Sequence, residues 1–230
     1  MRSYGQFCPI AKAAELFCER WTPLIIRELA TGATRFSEVR RGVPLMSPTL
    51  LSRRLRQLEA EGIVIRASPG RGKNLTYRLT EAGLEFVPLI EGLGRWGQHW
   101  SRRELAENEV DLGLLIWSLE KSVDASAFEG DRTVVRLEFT DQPASKSLWW
   151  FVNKAASCEL CLQDPGFDVD LYVACTLPDM IRVIRGDIAL TRALDDGLID
   201  LHGTANTHRR FRDWLNLSPL SRIESRRTAP

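Results

Sequence analysis

The residues of this chain whose types could do covalent or ligand chemistry are few and poorly spaced for it. Cys158 and Cys161 have the spacing of a redox or metal pair, but they lie in a run that alternates like a β-strand. On a strand, residues three apart point to opposite faces, so the two thiols neither chelate one ion nor bridge without a bulge. Redox pairs of this spacing sit at helix N-termini, where the thiolate is stabilised. We therefore read two core thiols. The histidines are His99, His202 and His208, and no cysteine or carboxylate stands at ligand spacing from them. No nucleophile–base signature, glycine-rich phosphate loop or paired-acid motif occurs. The sequence predicts no enzyme, no metal site and no cofactor. What remains is guanidinium chemistry. The stretch from Ser47 to Gly62, SPTLLSRRLRQLEAEG, carries Arg53, Arg54 and Arg56 with no acid before Glu59.

That stretch must be a helix to present those arginines together. Ser47 can cap it, Pro48 suits the first helical position, and Gly62 suits the residue just past its end. Wound at 100° per residue, Leu51, Leu55 and Leu58 fall on one side, and Thr49, Ser52, Arg53 and Arg56 on the other. An ordinary surface helix mixes both signs of charge on its polar face. This one offers guanidinium and hydroxyl groups to an anionic groove. Arg54 lies towards the apolar flank, which assigns it to a phosphate or an internal ion pair rather than a base.

The flanking segments give the helix its context. Ile63–Ser68 and Asn74–Thr80 read as two short strands, joined by Pro69–Lys73, a turn with two glycines and two cations. Thr34–Pro44 fits a shorter preceding helix, with Phe36 and Val39 inward and Arg35, Arg40 and Arg41 outward. Helix, helix, strand, basic hairpin tip, strand is the layout of a winged helix-turn-helix, whose recognition helix enters the major groove while the wing reaches phosphates or the minor groove. The expected DNA contacts are Ser47, Thr49, Ser52, Arg53, Arg54 and Arg56 on the helix. Arg35, Arg71 and Lys73 are expected to fix register on the backbone.

At 230 residues the chain can bury one or two cores. Its net charge of +1 conceals an asymmetry: residues 1–103 carry 17 Lys/Arg against 9 Asp/Glu, residues 104–208 carry 8 against 19, and the last 22 carry 6 against 2. A basic front and an acidic middle predict two domains, of which the first favours nucleic acid. No apolar signal segment follows Met1, and no stretch approaches the roughly 18 apolar residues of a membrane span. Five cysteines, an odd number, argue against a secreted disulfide framework. We expect a cytoplasmic protein that does not engage a membrane.

In chain order, residues 1–7 read as an arm before a helix carrying Ala11, Ala14, Leu16 and Phe17. A second helix is expected over Glu19–Gly32, with Trp21, Leu24, Ile25 and Leu29 at core spacing. After the wing, Thr80 can cap a long helix from Glu81 to about Trp100, with Phe86, Leu89, Ile90, Leu93, Trp96 and Trp100 apolar. So much apolar face serves either intramolecular packing or a homodimer, and readers of paired half-sites favour the dimer.

Taken together, C-P-I, R-W-T-P-L-I-I-R-E-L-x-x-G, R-F-S-E-V, S-P-T-L-L-S-R-R-L-R-Q-L-E-x-x-G-I-V-x-R and Y-R-L-T-E-A-G resemble the HxlR family of bacterial transcription regulators over residues 8–100. The resemblance implies a dimeric winged helix that binds promoter inverted repeats, and a cysteine in the Cys8 position that senses electrophiles or oxidants in several members. Two features depart from it: Cys18-Glu19-Arg20, where the family usually has glycines and a lysine, and the length, since typical members stop near residue 110. Cys8 stands at the mouth of the first helix, where the dipole and Lys12 would favour its thiolate. It either senses oxidants or packs in the dimer arm.

Ser101–Val123 has a helical pattern and can link two domains. Beyond it, Thr133–Thr140, Ser147–Asn153, Ser157–Gln163 and Asp168–Thr176 alternate as strands; two short helices, a strand over LIDLHG and a closing helix follow. The fold class is α+β, a winged helix-turn-helix followed by an α+β domain with a mostly antiparallel sheet. The second domain is similar to the sterol-carrier-protein-like fold over about residues 130–217, in D-V-D-L-Y-V-A-C-T-L, R-V-I-R-G-D and L-T-R-A-L-D-D-G-L-I-D-L-H-G. The resemblance implies a small hydrophobic ligand, with Trp149, Trp150 and Phe151 as candidate pocket walls; the same residues would serve a plain core or a partner surface equally. The expected division is 1–103 DNA-binding, 104–128 linker, 129–218 sterol-carrier-like and 219–230 a basic disordered tail.

Overall fold

A computed structural model describes residues 3–67, 75–155 and 157–227 and divides the chain into two compact units, Met1–Gly94 and Arg95–Pro230. In the first unit, α1 (Pro9–Phe17), α2 (Thr22–Ala30), α3 (Phe36–Gly42) and α4 (Pro48–Ala60) precede an antiparallel pair, β1 (Val64–Ala67) and β2 (Thr76–Leu79). The second helix begins three residues later than its apolar spacing predicts. Trp21 adopts a left-handed φ of 78°, so Cys18–Trp21 form a turn and the helix starts with Thr22 and Pro23. α3 begins where the Glu38 carboxylate accepts from the backbone N–H groups of Thr34 and Arg35 at 2.7 and 3.0 Å.

The core of this unit comes from one face of each helix. Ile25 and Ile26 of α2, Val39 of α3, and Leu51, Leu55 and Leu58 of α4 are all essentially inaccessible. Each such side chain stabilises the unit by roughly 1.5–3 kcal/mol relative to exposure. Thr80 then links the hairpin to the next helix, α5 (Glu81–Trp96): its hydroxyl donates to Gly62 O at 2.6 Å and accepts from Gly83 N at 3.1 Å. Gly83 is required there, because a Cβ would stand 2.2 Å from the Ile63 carbonyl oxygen. The α-helical path ends at Trp96 rather than Trp100, and Gly97–Ser101 continue as a wider π-type turn.

The second unit holds a five-stranded sheet in the order β5-β4-β3-β6-β7, built from β3 (Thr133–Phe139), β4 (Leu148–Lys154), β5 (Ser157–Cys161), β6 (Leu171–Cys175) and β7 (Ile199–Gly203). Only the β3–β6 pair is parallel. A short α7 (Ala144–Ser147) leads into β4. The helices α6 (Leu112–Ser122), α8 (Leu177–Arg185), α9 (Leu190–Asp195) and α10 (Ala205–Leu215) supply side chains to one core with Val135, Leu137, Phe151 and Val173 of the sheet. Trp214 anchors it: its ring meets Phe151 edge-on, and its indole N–H donates to Asn153 Oδ1 at 2.8 Å. The segment expected to be helical from Ser101 is α-helical only from Leu112, after a single 3-10 turn at Glu107–Glu109. Arg102 is extended (ψ 128°), with its guanidinium bonded to Asp187 at 2.6 Å and to Gly186 O. No described helix is long and apolar enough to cross a membrane.

Candidate nucleic-acid interface

The helix α4 presents the arrangement its sequence predicts. Ser47 Oγ accepts from Leu50 N at 3.3 Å, closing the N-terminus. Thr49, Arg53 and Arg56 are exposed and Ser52 is half-buried, while Leu51, Leu55 and Leu58 on the opposite side are buried. Among the described residues, no acid pairs with Arg53 or Arg56 on this face. The result is a cationic, hydroxyl-bearing strip on a rigidly seated helix.

Arg54 took the second of its two expected roles. It is 7% exposed, with Nη2 2.8 Å from Glu19 Oε2 and Nη1 2.6 Å from Gln57 Oε1. Arg35 remains exposed, 3.9 Å from Glu38. Its backbone also bridges to Thr76, and Tyr77 N donates to Thr34 O at 2.7 Å, so the start of α3 is sewn to the hairpin. Arg71 and Lys73, expected at the hairpin tip, lie outside the described residues. Two further cations escaped the sequence reading. Arg78 is exposed on β2, and Arg66 on β1 lies 3.4 Å from Glu59. The signal that places both on the wing is the alternation of the two strands.

A family model described as HxlR-like helix-turn-helix matches residues 16–105. The HTH-type transcriptional regulator YvaP of Bacillus subtilis (strain 168) is 35% identical over 98 residues, covering 42% of this chain and 91% of that relative. The chain belongs to the HxlR-like helix-turn-helix family. It is a DNA-binding transcription regulator. A second relative, YkvN of the same organism, is 30% identical over 106 residues, 46% of this chain and 90% of that relative. Among solved structures, diamide-treated YodB from B. subtilis is 33% identical over 40% of this chain and 93% of that one, with a TM-score of 0.35. The family match stops at residue 105.

In this HxlR-like regulator the cysteines occupy different surroundings. Cys8 is half-buried as the residue before α1, its carbonyl accepting from Lys12 N at 3.1 Å; the Lys12 ammonium is directed to Glu15 at 3.4 Å. Cys158 packs against the helix-covered core and Cys161 against the opposite cluster around Trp150. Burial is the main cause that pushes the Cys158 thiol up to about 12, with Glu120 adding to it, and burial also raises Cys161. No group of three or more metal-ligating side chains occurs among the described residues.

The three candidate pocket residues divide between two faces. Phe151 is buried beside Trp214. Trp149 is half-buried next to the same core, and its indole N–H donates to Lys146 O at 2.8 Å. Trp150 lies on the other face with Val134 and Val152. A cleft of about 640 Å³ opens elsewhere in this unit, lined by Val183, Ile188, Leu190 and Leu217 and by Arg212 and Arg222. None of the three aromatics lines it.

Proposed function

We propose that this regulator acts as a homodimer that reads a promoter inverted repeat, with α4 in the major groove and the wing on adjacent phosphates. Two such helices would occupy successive major grooves about 34 Å apart. The observation that carries the reading is the division of α4 into a buried leucine face and an exposed face of Thr49, Arg53 and Arg56. Arg35, with Arg71 and Lys73, supplies backbone contacts in this scheme. Dimerisation is supported by exposed apolar side chains in the first unit: Phe7, Ile10, Leu84, Leu89 and Leu93.

The functional division we favour gives the first unit to DNA and the second to an effector domain. α6, expected within a 104–128 linker, is built into the second unit's core. Pro219–Arg222, expected within a disordered tail over 219–230, form a 3-10 turn followed by Ile223, whose carbonyl accepts from Arg102. The order of four strands, two helices, a strand and a closing helix supports a sterol-carrier-like assignment for the effector domain, and with it a small hydrophobic ligand. Cys8 oxidation is the alternative input.

Selection of duplexes from a random pool by full-length protein tests the DNA reading. A recovered inverted repeat supports it; recovery of unrelated sequences removes it. Native mass spectrometry of gently purified protein tests the rest. A dimer mass carrying a discrete excess, released on denaturation, supports the ligand, whereas a bare dimer whose DNA binding responds to an oxidant only when Cys8 is present supports the thiol.

A further inference from the structure

Arg54 lies on the helix that reads DNA, yet its charge is turned inward. Its Nη2 meets Glu19 at 2.8 Å, its Nη1 meets Gln57 at 2.6 Å, and its Nε is buried without an acceptor. Gln57 belongs to α4 itself, so the tie to the rest of the unit is Glu19. That residue stands in the turn between α1 and α2, and the turn is held firmly. Thr22 N donates to Glu19 O at 3.0 Å, and the Arg20 guanidinium lies 5.2 Å from the Trp21 ring centroid. Trp21 sits at φ 78°. A bulky residue in that region costs roughly 1–3 kcal/mol and persists only where its surroundings over-determine it. A carboxylate on a rigid turn therefore grips one guanidinium on the inner side of the reading helix.

We propose that Glu19 is a positioning residue for DNA recognition: through Arg54 it sets the rotation of α4 about its own axis. The leucine face sets that rotation by close but non-directional packing. A charge-assisted hydrogen bond to a planar guanidinium is directional. Arg53 and Arg54 are consecutive and so project about 100° apart. Fixing Arg54 inward fixes Arg53 outward, together with Thr49, Ser52 and Arg56. Binding groups need their geometry held to about 10–20°, so a small rotation would spoil base contacts while leaving general attraction to phosphate intact.

The inference rests on the reading that α4 contacts DNA, and its test separates the two. Full-length protein is titrated with a duplex selected by the wild type from a random pool, and with a scrambled duplex of equal composition, over a salt series. Glu19→Gln is expected to lower the selected-to-scrambled affinity ratio by about tenfold while the salt slope on the scrambled duplex stays unchanged. Arg54→Lys, which keeps the charge and loses the fork, should lose a similar ratio. The double variant Glu19→Gln/Arg54→Gln removes the uncompensated charge and leaves a neutral hydrogen-bonding pair, so it should recover much of the ratio. Glu19→Gln that tightens scrambled binding and steepens its slope would make Arg54 a phosphate contact restrained by Glu19, overturning the proposal. An unchanged ratio in Glu19→Gln and Arg54→Lys overturns it as well. Failure of wild type to select any duplex counts against the DNA reading itself, before any variant is compared.

Discussion

Arg53 and Arg54 are neighbours in sequence with opposite environments, and their substitution should separate accordingly. Arg53 is exposed on the polar face of α4. We expect Arg53→Ala to relax sequence preference at one position and to cost about 1–3 kcal/mol if the contact is bidentate to guanine. Arg71→Ala should instead weaken all duplexes alike and reduce the salt slope by about one per lost phosphate contact. Selection profiles and salt titrations of the two variants distinguish these effects. The buried thiols give a second test at this scale. Burial, aided by the charge of Asp179, pushes Cys175 up to about 12, as burial does for Cys158, from an ordinary value of 9.0. A folded-state value raised in this way adds stability that is fully present below pH 9 and is lost as pH rises from about 9 to 12. The thermal midpoint should therefore fall through that window, and less so in Cys158→Ala/Cys175→Ala. The inward lean of Arg54 was legible from its place beside the leucines on the helical wheel. Glu19 was not. No local period reports that a residue 35 positions earlier will meet it across the core.

At the scale of elements, the apolar periods located the helices and strands well, and failures concentrated where a single tertiary feature stops an element. The Trp21 backbone delays α2, and the bonds of Arg102 to Asp187 and Gly186 end the helical path that the pattern around Ser101 suggested. The start of α3 shows how such a boundary depends on pH. Burial opposes ionisation of Glu38, but the amides of Thr34 and Arg35 outweigh it and hold the carboxyl below the usual 4.5. A depressed folded-state value means stability present above pH 4.5 and lost as pH falls through the folded value. Glu38→Gln should accordingly flatten the acid limb of a thermal-denaturation series. Close packing gives a converse case at Gly83. Alanine is the better helix former by about 1 kcal/mol, yet its Cβ would stand 2.2 Å from the Ile63 carbonyl, which is backbone and cannot turn aside. Gly83→Ala should therefore destabilise by about 1–3 kcal/mol in denaturant titration. A stabilised variant would show that α5 can withdraw from Ile63 without cost.

The whole-molecule question is assembly, and it is where sequence and structure argue from different observations. In sequence, a helix from Glu81 with apolar residues around more than one face had more surface than a winged helix could cover. In the structure, Phe86 is occupied by stacking on Phe17 at 5.4 Å, whereas Leu84, Leu89 and Leu93 remain 57, 59 and 47% exposed. Phe7 and Ile10 of the same unit are exposed at 100 and 78%. In the proposed dimer, these exposed apolar side chains are the surface that the second copy would cover. A two-fold pair would bury the same residues from both copies, and the basic front segment would then offer two equivalent faces to one duplex. We expect Leu89→Glu/Leu93→Glu to convert a dimer into a monomer by light scattering while the helical signal by circular dichroism stays close to wild type. Affinity for the selected inverted repeat should fall steeply, and affinity for a single half-site should barely change, because linked half-sites gain from effective concentration rather than from new contacts. A double variant that remains dimeric would move the interface away from this stripe. One that becomes monomeric yet retains full affinity for the inverted repeat would show that pairing is not what selects the site.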